Sequence, residues 1–222
     1  MKKAMSILSL FTPRTDEESM LRVKTCDDHL QFSRLVERWE EPIRRLCTRM
    51  TGDPHRGEDL KQDTFVRVFE RRKEYQATGR FSTFLWRIAL NLCYDELRRQ
   101  HRRQDFLQQP FTSNPESELP EPIAEVPGPD VRTAQLEEGE LVRQAVMQLP
   151  EIYRTVVVLR HYQDLRLGQI AQILEIPEGT VNSRMAEALT RLSRCLAPKF
   201  EKSGDTIARP RLTVIPKASV NL

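Results

Sequence analysis

Residues 180–187, TVNSRMAE, set out side chains of the kind that touch nucleic acid. A threonine capping the start of a helix accepts a backbone N–H and leaves the helix's positive end facing outward, where a phosphate is favoured. Asn182, Ser183 and Arg184 follow Thr180 on the face opposite Val181 and Met185. Arginine suits guanine, asparagine suits adenine and serine suits either, so the trio matches base edges as well as phosphates. Glu187 puts an anion on the same helix, where a DNA-facing helix usually carries a base. A second cluster, Arg98, Arg99, Arg102 and Arg103, ends an apolar-periodic segment with cations suited to phosphates. Catalytic chemistry has no comparable constellation. The sequence has no Gly-rich phosphate loop and no Ser/His/Asp pattern, and its histidines (29, 55, 101 and 161) fall at loops or helix ends without partners. Cys26, Cys47, Cys93 and Cys195 are scattered, without a C-x-x-C pair, which argues against a zinc site or a disulfide scaffold and for reduced thiols.

The elements that must carry these residues read as helices. Few aromatics and few glycines, with apolar residues at helical spacing, predict an all-α chain. Leu30 to Met50 is one helix, with a shift near Pro42; TGDPHRGED breaks the pattern, and Leu60 to Phe69 resumes it. Ser82 or Thr83 is placed to cap a third helix through Trp86, Ile88, Ala89, Leu92 and Leu97 to the arginines. Ala134 to Gln148, Ile152 to Tyr162, Leu167 to Leu174 and Thr180 to Leu196 make four more helices, closing in a helix-turn-helix around EIPE. Two short helices joined by a tight turn also occur as plain structure, so this unit alone does not establish DNA binding.

Charge divides the chain. Residues 1–104 carry net +6, 105–131 net −6 with six prolines, and 132–222 net +3, which the overall +3 hides. The middle stretch cannot continue a helix, because each proline lacks an N–H and clashes with the preceding turn. Extended, its 27 residues span about 90 Å. The expected layout is a flexible leader (1–24), a helical domain (25–104), an acidic Pro-rich linker (105–133), a helix-turn-helix domain (134–197) and a tail (198–222), in which RLTVIP could form a short strand against a partner. Basic domains around an acidic spacer suit a polyanion gripped at two places. The leader's apolar run is too short for a secretory signal and no stretch reaches bilayer-spanning length, so a cytoplasmic protein without a membrane partner is expected.

The segment LPEIYRTVVVLRHYQDLRLGQIAQILEIPEGTVNSRMAEALTRL resembles the promoter −35-binding domain of extracytoplasmic-function (group 4) RNA polymerase sigma factors of the sigma-70 family. GEDLKQDTFVRVF resembles that family's polymerase-docking helix, and FSTFLWRIALNLCYDELRRQHRR its −10 segment, in the expected order. The resemblance implies a sigma factor that binds core polymerase at the largest-subunit clamp helices and the flap, and that recognises promoter DNA and melts its −10 region. It implies no cofactor, and it leaves room for an anti-sigma partner. Carried onto this sequence, it places Asp59, Gln62, Asp63 and Phe65 against the clamp, an acidic patch with one apolar anchor. It assigns the −10 element to the loop EYQATGRF with Trp86, Asn91, Arg98, Arg99, Arg102 and Arg103, Asn91 facing a flipped base and the arginines facing phosphates, while Trp86 fits the core better than a stacking platform. Thr180, Asn182, Ser183, Arg184 and Glu187 fall on the −35 element. In the family the linker threads the polymerase channel towards the RNA exit path, where six acids would repel nascent RNA.

The departures are as specific as the matches. Leu167-Gly168-Gln169 lacks the capping hydroxyl usual before E-I-A, at a cost of about 1 kcal/mol. Asn182 and Glu187 stand where bases are common, and Glu175 stands where glycine often ends the first helix, which implies mild strain if that residue is left-handed. The rival expectations are a stand-alone helix-turn-helix regulator, which would leave the docking helix and the −10 segment unexplained, and a degenerate sigma-like protein that occupies polymerase and scarcely binds DNA.

Overall fold

A computed structural model describes residues 15–107, except Thr78, and 131–201; residues 1–14, most of the linker and residues 202–222, with the strand expected at RLTVIP, lie outside this range. Among the described residues there are eight α-helices and no strand: α1 (Asp16–Cys26), α2 (His29–Thr51), α3 (Pro54–Glu70), α4 (Phe81–Leu107), α5 (Val131–Met147), α6 (Glu151–Val157), α7 (Leu167–Leu174) and α8 (Glu178–Glu201). The all-α expectation holds. No helix among the described residues is long and apolar enough to cross a membrane.

Several boundaries differ from those expected, each for a local reason. Residues 16–24, assigned to the leader, belong to α1. Thr15 accepts a hydrogen bond from the Glu18 N–H (3.2 Å) while Glu18 accepts from the Thr15 N–H (3.3 Å), and Met20 and Val23 enter the core. Such a reciprocal cap satisfies two of the backbone donors that a helix start leaves free. α2 runs straight through Pro42, and Arg38, whose carbonyl loses its helical donor there, is an exposed residue. The break after α2 is confined to Gly52, left-handed at φ 79°, and Asp53, whose carboxylate accepts from the His55 and Arg56 N–H groups. Pro54 therefore starts α3 rather than ending anything, since proline at a first helical position forfeits no bond. Ser82 and Thr83 do not cap α4, which already begins at Phe81 and whose first N–H donates to Glu17 of α1 at 3.1 Å.

The first four helices share an aromatic core in which Trp86 meets Trp39 edge-on at 5.8 Å and Tyr75 meets Phe81 at 6.2 Å. α2 and α3 approach most closely at Gly57, where a Cβ would lie 2.1 Å from the Thr48 Oγ1 and 3.0 Å from its Cα. Val146, Leu149, Val156, Val157, Ile170, Ile173, Val181 and Ala188 form the core of the second group, where α6 passes into a π-helical turn over 158–162. The two groups also touch. Arg154, buried on α6, donates to the carbonyls of Met50 (2.6 Å), Met147 (2.6 Å) and Leu149 (3.1 Å), thereby capping the C-terminal ends of α2 and α5.

Candidate polymerase and nucleic-acid interfaces

On α3, Asp59, Gln62 and Asp63 are exposed and lie within one helical turn. Asp59 is 3.5 Å from Arg56, and the Gln62 amide donates to Glu58. Phe65, expected as the apolar anchor of this face, is only 6 % exposed and belongs to the core; the exposed hydrophobic residue is Val66, at 58 %. The 3.6-residue period explains the correction: position 66 follows 62 and 63 along the same face, whereas 65 rotates towards 60, 64 and 68, all buried. That spacing was the signal by which Val66 could have been found.

α4 presents Asn91 and all four arginines to the outside. Arg98 is tied down, donating to the Tyr94 carbonyl and lying 3.4 Å from Asp95. Trp86 is 2 % exposed and is a core residue, so in this arrangement it offers no stacking platform. Within the loop before α4, Tyr75 and Phe81 are also buried. The Tyr75 hydroxyl donates to the Gly79 carbonyl, and burial, with Glu17 and Asp16 nearby, pushes its pKa up to about 12. The loop's outward surface is Gln76, Ala77, Gly79 and Arg80.

On α8, Asn182 and Ser183 are exposed, while Arg184 and Glu187 are half-buried. Thr180 is not the N-cap. The helix starts two residues earlier, and the Thr180 N–H already donates to the Pro177 carbonyl at 2.9 Å. The Ser183 hydroxyl donates to the Thr180 carbonyl. Glu187 accepts from Arg191 at 2.7 Å, and the Arg191 guanidinium lies over the Tyr153 ring at 4.8 Å, so the anion steadies a cation on its own helix. The missing hydroxyl before α7 is partly compensated, because the Gln169 side chain accepts from the Arg166 N–H at 2.9 Å. Glu175 is left-handed, at φ 56°, which meets the condition under which strain was expected there.

Known proteins resemble this chain in the same places. The family model described as sigma-70 region 2 matches residues 35–103, and that described as sigma-70, region 4 matches 139–192. The ECF RNA polymerase sigma factor SigW of Bacillus subtilis (strain 168) is 33 % identical over 76 % of this chain and 92 % of its own length. Among solved structures, CnrH in complex with the cytosolic domain of CnrY has a TM-score of 0.61 at 20 % identity, covering 82 % of this chain and 97 % of that one. The sigma factor RpoE of Bartonella quintana, in complex with the anti-sigma factor NepR, has a TM-score of 0.56 at 20 % identity, covering 75 % and 96 %. The two structures show a shared fold.

Proposed function

The chain belongs to the extracytoplasmic-function RNA polymerase sigma factors of the sigma-70 family, and from that premise we propose how its surfaces divide the work of directing core polymerase to promoters. Asp59, Gln62, Asp63 and Val66 dock α3 on a basic, partly apolar surface of the polymerase. Phe65 supports that surface from beneath. Asn91 reads the −10 element while Arg98, Arg99, Arg102 and Arg103 hold its phosphates, and Asn182, Ser183 and Arg184 read the −35 element. Trp86 and Thr180 support their helices from inside, and Glu187 sets the strength of the −35 grip through Arg191. The observation that carries this reading is that both family regions occur in order, each presenting an outward set of charged or amide side chains on a helix whose opposite face is core.

The proposed boundaries follow: a region 2 domain from about residue 15 that includes α1, the acidic linker, and a region 4 domain made of α5–α8. Chemistry on nucleotides is left to the polymerase, the compartment is the cytoplasm where polymerase works, and an anti-sigma factor is a fitting partner given those seen with the two structural relatives. Run-off transcription by core polymerase on a pool of bacterial promoter fragments tests the reading. Initiation at defined start sites that needs this protein supports it. Co-migration with polymerase without initiation would instead indicate a degenerate polymerase-binding protein, and operator binding without any polymerase association a stand-alone regulator.

A further inference from the structure

The loop that precedes α4 is held at both ends by α1, a helix that ends before the region matched by the sigma-70 region 2 model, which begins at residue 35. At one end, α4 opens at Phe81, whose N–H donates to the Glu17 carboxylate at 3.1 Å. The first N–H groups of a helix have no partner within it, and an anion at the positive end of the helix dipole suits them. At the other end, the Tyr75 carbonyl, just past the short 3₁₀ turn over 72–74, accepts from the Lys24 ammonium at 2.6 Å. Glu17 and Lys24 are seven residues apart, two turns and about 10 Å along one face of α1. Met20 and Val23 between them are fully buried, so the two polar groups flank an apolar contact.

The helix that holds the loop is itself fixed. Asp16 accepts from the Trp39 indole at 2.9 Å and from Arg38 at 2.5 Å, both on α2, and beyond the far end Asp27 accepts from Arg72 at 2.5 Å. The loop, by contrast, has little of its own. Gln76, Ala77, Gly79 and Arg80 are exposed, the Tyr75 hydroxyl donates to the Gly79 carbonyl at 3.2 Å, and the Gly79 N–H donates to the Gln76 carbonyl at 3.3 Å. Both of these bonds join neutral groups. Both bonds from α1 carry a charged partner, and such bonds are roughly twice as strong. Glu17 and Lys24 are half-buried, turned to the loop's ends rather than to its outward surface.

We propose that α1 is a brace for promoter recognition: Glu17 and Lys24 are positioning residues that hold the loop before α4 in the form that takes a −10 base, without touching DNA themselves. This rests on the reading of that loop as part of the −10 surface. A loop already in its bound form needs no ordering when DNA arrives, so apparent affinity scales with the fraction of molecules whose loop is in that form. Loosening either end lowers that fraction. Because sequence is read only by a correctly shaped loop, discrimination between bases falls together with affinity.

The test uses the full-length protein with core polymerase. The probe is the fluorescein-labelled non-template strand of a promoter at which the protein initiates in the run-off pool, beside the same strand with its −10 bases replaced. Glu17→Ala removes the acceptor, whereas Glu17→Gln keeps an acceptor oxygen with the same change of charge. Lys24→Met removes the donor, whereas Lys24→Arg keeps one. If charge alone governed binding, the two Glu17 variants would strengthen it equally, and Lys24→Met would weaken it with a salt slope lower by about one. The brace predicts that Glu17→Ala and Lys24→Met each lose about fivefold in affinity and most of the preference for the promoter strand, with the slope unchanged. Glu17→Gln and Lys24→Arg should stay within about twofold of wild type. Polymerase binding should be the same in all four variants, which separates lost positioning from lost folding. Amide hydrogen exchange of the free protein supplies a measure independent of DNA: the Gly79 N–H, bonded to neither residue, should exchange faster in Glu17→Ala and Lys24→Met, with α2 and α3 protected as in wild type. Equal effects of Glu17→Ala and Glu17→Gln, a reduced slope in Lys24→Met, or unchanged Gly79 exchange would overturn the brace. A pool with no promoter at which the protein initiates would remove the −10 reading and the proposal with it, whereas normal initiation with variants that bind like wild type removes the brace alone.

Discussion

Phe65 and Val66 are chain neighbours with opposite surroundings, and truncating each to alanine separates folding from docking. Phe65 is 6 % exposed in the core, so Phe65→Ala should cost about 3–5 kcal/mol, as for other buried phenylalanines. For a domain of this size about 1 kcal/mol lowers Tm by roughly 4–8 °C, so a fall of at least about 12 °C is expected. Val66 is 58 % exposed and its truncation should leave Tm unchanged. If polymerase covers that remaining surface, two methyl groups at about 0.8 kcal/mol per fully buried group, scaled by exposure, amount to roughly 1 kcal/mol. That is about a fivefold loss of affinity. The assay pairs thermal denaturation by circular dichroism with polymerase binding by fluorescence anisotropy, at a temperature where both variants are folded. A Phe65→Ala protein that keeps its Tm but loses polymerase would refute the placement of Phe65 in the core, and a Val66→Ala protein that binds like wild type would refute Val66 as the anchor.

Gly57→Ala should destabilise the protein by more than about 1 kcal/mol although alanine is the better helix former, because the new Cβ meets backbone atoms of Thr48 at 2.9 and 3.0 Å; an unchanged or higher Tm would contradict the close approach of α2 and α3. Glu187→Arg removes the partner of Arg191 and places like charges four residues apart, so a small loss of stability with stronger −35-dependent run-off is expected; weaker transcription would show that steadying Arg191 matters more than the added charge. Arg102→Ala and Arg103→Ala should each reduce the slope of log K against log salt by about one for −10 DNA, measured by anisotropy titration, and an unchanged slope would remove that arginine from the phosphate contacts. Hydrogen bonds from Arg44 and Arg45 hold the Glu41 carboxyl at about 2. Because the folded pKa is depressed, its contribution is present above the unfolded value of about 4.3 and disappears as pH falls through about 2. With Glu41 44 % exposed, Glu41→Gln should cost less than about 1 kcal/mol at neutral pH, and the gap from wild type in urea denaturation should close over that acid window.

The apolar period was enough to expose the helices, because a helix buried on one face must repeat its apolar residues every three or four positions. Glu175 was singled out by comparison with the family's glycine, with strain expected only if it were left-handed, and its φ of 56° meets that condition. What the apolar period missed was written in shorter signals. Thr15 and Glu18 form a reciprocal cap four residues long, and Asp53-Pro54 is a helix start that looks like a break when proline is weighed without its position. Phe65 was carried over with the docking motif although the helical period turns it into the core, and at Thr180 a capping residue type was taken for a capping position. The contact between modules left no trace. Arg154 reaches the Met50 carbonyl across 104 positions, and a bond to a backbone oxygen asks nothing of the residue type that offers it.

The docking role proposed for the acidic face of α3 is compatible with the partner Asp59 already has, and the reason lies in the unequal claims on Arg56. That guanidinium is 3.5 Å from Asp59 on its own helix and 3.5 Å from Glu96 on α4. The Glu96 side chain is 8 % exposed and has one further donor, the Gln100 amide at 3.3 Å. Depriving a buried carboxylate of its cation costs on the order of 3–5 kcal/mol, whereas an exposed pair is worth about 1 kcal/mol or less. Asp59 is 61 % exposed, so its bond to Arg56 is the weak one. A cation on the polymerase can take over Asp59 while Arg56 stays on Glu96, and the junction between α3 and α4 survives the exchange. On the proposed reading, docking then leaves α4 where the core holds it, and the exposed Asn91 and arginines keep a fixed support from which to meet DNA.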